Sequence, residues 1–257
     1  MLDATLTEGV SLSVDDRGVA FVTFAHPRSN SLPGAVLASL AETVRGLGER
    51  TDVKVVVLGS AGDRAFCAGA SFDELVAISD EAEGLRFFMG FANVINALRS
   101  IPQLVIGRVQ GKAVGGGVGV AAATDYCMAT RHAAVKLSEL AVGIGPFVVG
   151  PAVERKLGVS GMSQLAIDAT EWRSAEWAAQ SGLYASVHED MDALDIAVDA
   201  LADRLAGSNP EAMAELKRAF WSGTEDWDEL LAQRAAVSGR LVLSDFTREA
   251  IARFKAG

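Results

Sequence analysis

Three short runs rich in valine and phenylalanine or other apolar residues, at 19–24, 53–58 and 104–109, constrain the fold of this chain most, because the stretches between them carry apolar residues at helical spacing. Segments 33–50 and 84–100 read as the intervening helices. A glycine-rich turn after 109 leads into a helix start at 118–123 and a further strand at 126–129. Strands that alternate with helices imply an α/β fold with a parallel sheet, since parallel neighbours need a long crossover and a helix is the usual one. Functional loops are then expected beyond the carboxyl ends of the strands.

After residue 151 the texture changes to alanine-rich amphipathic segments, at 163–169, 175–180, 194–206, 210–220 and 226–237, and this part is expected to be mostly helical. Pro210 after Asn209 marks one helix start, because proline at the first helical position gives up an N–H that lacks an internal partner anyway. No linker or repeat separates the two textures. They are expected to form a sheet-containing core over residues 1–200 and a helical region over 201–257. A chain of 257 residues, half of them hydrophobic, can bury a large core. The apolar stretch 104–123 is interrupted by Arg108 and Lys112 and crowded with glycine, so it reads as core and not as a membrane span. A net charge of −10 disfavours general attraction to nucleic acid or an anionic membrane. Cys67 and Cys127, the two cysteines, have neither disulfide-framework nor zinc-site spacing, and the N-terminus has no basic start or apolar run. A cytoplasmic protein without a metal site is the expectation.

Three segments carry chemistry. Arg64-Ala65-Phe66-Cys67-Ala68-Gly69-Ala70-Ser71 follows the second strand, and its small residues let main-chain N–H groups face a ligand. A tight turn is the plainer reading of this segment alone. Cys67 has no histidine partner in a recognisable motif and is not read as a nucleophile. Gln110 to Gly119 follows the third strand and lacks both the GxxxxGK[ST] and GxGxxG frames, which leaves a helix N-terminus whose free N–H groups suit an oxyanion. Lys136 to Pro146 places Glu139 in an apolar, glycine-bounded stretch where its pKa would rise enough for proton exchange. By itself Glu139 reads more plainly as a surface or helix-capping glutamate.

In this order the three segments resemble the enoyl-CoA hydratase/isomerase (crotonase) family: FCAGAS as its oxyanion loop, VQGKAVGGGVG as its second loop, KLSELAVGIGP as its catalytic-acid segment. The resemblance implies a ββα spiral core with a C-terminal helical trimerisation region. It implies that Ala70 and Gly116 N–H groups hold a thioester oxygen while Glu139 moves protons, with coenzyme A arriving on the substrate and no other cofactor. The loop around Arg28, Asn30 and Leu32, with Ala68, Ala70, Ser71 and Phe72, is implied to meet coenzyme A, although Arg28 could also be a solvated turn residue. Leu75, Gly119, Phe147 and Val148 are candidates for the acyl pocket, the apolar ones equally for core.

Two departures stand out. Hydratases of the family pair two glutamates, and the first position is Gly119 here; Ser71 and Asp73 stand where many relatives have aspartate and lysine. The resemblance therefore implies water addition to, or removal from, an acyl-CoA by one base. A 3-enoyl to 2-enoyl-CoA isomerase using Glu139 alone and a non-catalytic acyl-CoA binder are the alternatives. The segments NSLPG, FCAGASFDEL and GFANVINALR further resemble bacterial methylglutaconyl-CoA hydratase-like proteins of leucine breakdown. A homotrimer or homohexamer is implied as well.

Overall fold

A computed structural model describes residues 1–256, with side chains as far as Arg253. Strands β1 (Gly9–Val14) and β2 (Val19–Ala25) form an antiparallel hairpin, followed by the two-residue strand β3 (Ser31–Leu32) and helix α1 (Gly34–Leu47). The next unit runs β4 (Val55–Ser60), β5 (Ala65–Cys67), β6 (Gly69–Ala70), α2 (Phe72–Ala77) and α3 (Glu81–Ser100). Then come β7 (Leu104–Val109), β8 (Lys112–Val114) and α4 (Gly116–Ala122), and after them β9 (Tyr126–Thr130), β10 (Val135–Lys136), a short 3₁₀ turn Leu140–Val142 and α5 (Gly150–Ile167). The remainder is α6 (Ala175–Gln180), β11 (Ser186–His188), α7 (Met191–Ala206), α8 (Pro210–Phe220), α9 (Trp227–Leu241) and α10 (Asp245–Ala256).

The main sheet has the order β1-β2-β4-β7-β9-β11, parallel from β2 onward, so successive long strands lie side by side. Each of β2, β4, β7 and β9 is followed by a short strand in one of two smaller sheets, β3-β6 or β10-β8-β5, and then by a helix. A ββα unit is thereby repeated four times as a spiral, the architecture the resemblance implied. The expected strand at 104–109 and helices at 175–180 and 210–220 coincide with β7, α6 and α8.

Alternation along the long strands sends side chains to two cores. Ala20, Val22, Phe24, Val56, Leu58 and Val105 face α1 and α3, while Val19, Phe21, Val55, Val57, Ile106 and Met128 meet Leu194, Val198 and Ala202 of α7. Each fully buried Val, Leu or Phe contributes about 1.5–3 kcal/mol. Burial on both faces explains why these strands read as continuous apolar runs.

The C-terminal helices are tied to the sheet by a buried polar cluster. Lys217 on α8 donates to the carbonyls of Leu98 (2.7 Å) and Gln103 (2.8 Å) and pairs with Asp125 Oδ2 at 3.0 Å. Asp125 also accepts from the Val105 N–H and from Trp221 Nε1, both at 2.7 Å. Burial pulls the Lys217 ammonium below its ordinary pKa, and Asp125 opposes that. Removing one member of such a pair strands the other charge away from water. Lys217→Ala is expected to lower the unfolding free energy by about 3–5 kcal/mol, measured by urea denaturation; a loss under about 1 kcal/mol would mean that the cluster is dispensable.

Candidate active site

The sequence brings two backbone segments against one carboxylate. In the β3-β6 ladder Leu32 pairs with Ala70, and its carbonyl accepts from the Ser71 N–H at 2.9 Å. Parallel pairing bonds alternate residues, so the Ala70 N–H points away from β3, toward the cavity that Ala70 lines. Across the cavity Gly116 opens α4, where the first-turn N–H groups have no partner within the helix. Gly115 before it has φ +53°, a conformation glycine adopts readily, and its N–H donates to the Lys136 carbonyl at 2.9 Å. A side chain on Gly116 would stand 2.3 Å from the Phe91 ring. The α4 N-terminus therefore reaches the site only as bare backbone.

Glu139 immediately precedes the 3₁₀ turn, and its carbonyl accepts from Val142 (3.2 Å) and Ile144 (2.9 Å), which fixes the backbone that carries it. Its Oε1 lies 3.0 Å from where a Cβ on Gly115 would stand, so the carboxylate faces the turn that leads into the Gly116 N–H. The residue keeps some surface exposure, but Oε2 is enclosed and has no hydrogen-bond partner among the described residues. Burial raises the carboxyl pKa to about 7, with its own backbone opposing. At neutral pH it is divided between acid and base forms, as proton exchange requires.

These groups line a cavity of about 750 Å³ whose walls include Phe72, Leu75, Phe87, Phe88, Phe91, Phe147 and Val148. Paired N–H donors against a carboxylate of neutral pKa, at the head of an apolar cavity, can hold a carbonyl as it gains negative charge while a proton moves at the neighbouring carbon. The reading of Cys67 agrees with the structure. Burial pushes both the Cys67 and Cys127 thiols up to about 12, which leaves neither a thiolate at neutral pH.

A family model for enoyl-CoA hydratase/isomerase matches residues 15–255. The chain belongs to that family. It is 27% identical over 238 residues to a short-chain-enoyl-CoA hydratase of Clostridium acetobutylicum, covering 92% of this chain and 90% of the relative. It is also 27% identical over 225 residues to a carnitinyl-CoA dehydratase of Proteus mirabilis, covering 84% and 82%. Among solved structures, an enoyl-CoA hydratase from Mycobacterium avium subsp. paratuberculosis K-10 superposes with a TM-score of 0.84 at 26% identity, over 96% of this chain and 99% of that one.

Of the positions implied by the resemblance to this family, Glu139, Ala68, Ala70, Gly116, Phe72, Leu75, Phe147 and Val148 line the cavity. Arg28 lies outside the lining, exposed and ion-paired with Asp73. Asn30 is buried and its side chain serves the fold: Nδ2 donates to the carbonyls of Ala61 (3.0 Å) and Ala65 (2.9 Å), and Oδ1 accepts from the His26 N–H at 2.8 Å. Leu32 is fully buried in the core, which leaves only its main chain to face outward partners. The Ser71 hydroxyl caps α2 by accepting from the Glu74 N–H. Gly119 is buried in α4 and is not among the cavity-lining residues, and a side chain there would run into Val149, with its Cγ1 at 2.5 Å and Cβ at 2.7 Å. The place for a second carboxylate is thus filled by an apolar wall. Sequence reading missed Val149, Lys136 and Trp172, all of them lining residues.

Two outcomes follow. Gly119→Glu is expected to cost about 1–3 kcal/mol in stability through overpacking, with Gly119→Glu/Val149→Ala recovering part of it, both read by thermal or urea unfolding; full stability of the single variant would contradict the packing at Val149. For Glu139, between pH 4.5 and 7 the unfolded chain releases a proton that the folded one keeps, so its contribution to stability falls as pH rises through that window and levels off above it. Glu139→Gln is expected to gain about 1–3 kcal/mol over wild type at pH 8 and almost nothing at pH 4, and equal curves at both pH values would mean that the carboxylate is not desolvated.

Proposed function

We propose that the protein adds water to, or removes it from, an acyl-CoA thioester through an enolate whose oxygen is held by the Ala70 and Gly116 N–H groups, with Glu139 as the only proton carrier. The observation that carries this reading is the enclosed Glu139 carboxyl, raised to about 7 by burial and facing the turn before α4. A thioester bound there has its carbonyl between two N–H donors and its acyl chain along the apolar walls. Glu139 then takes a proton from the attacking water and returns it to the α carbon, or does the reverse. Relatives named as a hydratase and a dehydratase over most of the chain support that direction of chemistry. Coenzyme A enters as part of the substrate, and 3-methylglutaconyl-CoA is the acyl group that the sequence texture favours. The assembly is a homotrimer or homohexamer, as the resemblance implies.

One observation favours a second reading. With Val149 at the position of a second carboxylate, a single base that moves one proton between the α and γ carbons of a 3-enoyl-CoA needs no further group, which is isomerisation. Heavy-oxygen water separates the two: a labelled product one water heavier marks hydration, and a shifted double bond at unchanged mass marks isomerisation. In either case Glu139→Gln should lower kcat/KM by about 10²–10⁴ while thioester binding persists. Turnover at the wild-type rate would remove Glu139 from the mechanism.

A further inference from the structure

The cavity wall carries two cations that the reaction described above does not use, Lys136 and Arg253, and of these Lys136 lies beside the turn into α4. In the β10-β8 ladder Val135 pairs with Ala113 and Lys136 with Val114. Val135 and Ala113 are fully buried, so alternation puts Lys112, Val114 and Lys136 on the opposite face, where Val114 and Lys136 line the cavity. The Nζ of Lys136 lies 4.6 Å from the centroid of the Trp172 ring, and that of Lys112 lies 4.8 Å from it. Trp172 is a lining residue too. A ring face orients an ammonium but does not neutralise it. Among the described residues neither lysine forms an ion pair with a carboxylate, in a chain whose acidic groups outnumber its basic ones by ten. Nor does Lys136 serve Glu139, whose proton affinity is set by burial and its own backbone, with no cation contributing.

Position decides what such a cation could meet. The Lys136 carbonyl accepts the Gly115 N–H, one residue before the Gly116 donor, so the side chain starts at the reacting end of the cavity. Arg28, on the loop implied to meet the nucleotide, is outside the lining and engaged by Asp73. An anion carried by the acyl group is therefore better placed for Lys136 than the phosphates of coenzyme A. Resting on the acyl-CoA reading above, we infer that Lys136, held on Trp172 with Lys112 beside it, is the counter-ion for a carboxylate on the acyl chain, and that the enzyme selects monothioesters of dicarboxylic acids over uncharged acyl thioesters of equal length.

The test compares glutaryl-CoA with pentanoyl-CoA, which differ only in the terminal carboxylate, by calorimetric titration of the wild-type enzyme, Lys136→Met and Lys136→Arg. Wild type is expected to bind glutaryl-CoA more tightly. The ratio of the two affinities should fall by about 10- to 100-fold in Lys136→Met, the effect of losing one charge-assisted contact, and be largely retained in Lys136→Arg. Because the readout is a ratio within each protein, a general weakening of the fold does not imitate it. An equal loss for both thioesters would assign Lys136 to the phosphates and overturn the inference, as would an unchanged ratio. Failure of wild type to bind either thioester would instead overturn the acyl-CoA reading on which it rests.

Discussion

The site depends on bare backbone coming closer to a carboxylate than any side chain would allow. Gly115 turns with positive φ directly against Glu139, Gly116 slides under the Phe91 ring, and together they leave the first N–H of α4 aimed into an apolar cavity. The same closeness strips water from Glu139. Its proton affinity and the uncovered N–H groups are therefore two results of one packing arrangement. A methyl group on Gly116 would push Phe91 and α4 apart and disturb both.

The fold supplies this approach through its repetition. Each long strand is followed by a short one and a helix, so strand β6 with Ala70 and the turn before α4 come from successive ββα units and Glu139 from the unit after them. Residues distant in sequence are gathered because the spiral advances by one strand per turn, and the long strands, buried on both faces, hold that advance rigid. Rigidity matters here because N–H donors act on a developing charge only when they need not reorganise.

Long elements and the glycine-bounded motifs were legible in the sequence, and short elements were not. A continuous apolar run identifies β7, and 3.6-residue spacing identifies α8, which spans about three turns. Strands of two or three residues, such as β6 and β10, contain no period to detect. The direction in which Lys136 points was consequently hidden, although it is decided by the register of β10 against β8. Gly119 was visible as a missing glutamate, but the side chain occupying that space, Val149, comes from a segment thirty residues away. The helix expected at 163–169 begins far earlier, at Gly150, since Pro151 fits a first turn and the break at Gly158 divides the apolar pattern.

The polar cluster around Asp125 bears on the order in which the chain can be completed. Asp125 ends the α4 segment and closes onto β7 through the Val105 N–H, yet its cation and its indole partner lie on α8 and just beyond it. As the polypeptide leaves the ribosome, all four spiral units are out before Lys217 is synthesised. Until then the cation near Asp125 is Lys156 of α5, whose Nζ donates to the Asp125 carbonyl at 3.1 Å. The cluster is thus completed only by the C-terminal helices, the same helices whose residues Ser238 and Ala250 wall the cavity. A chain that stops before α8 would lack the Lys217–Asp125 pair, the Trp221 contact and these wall residues.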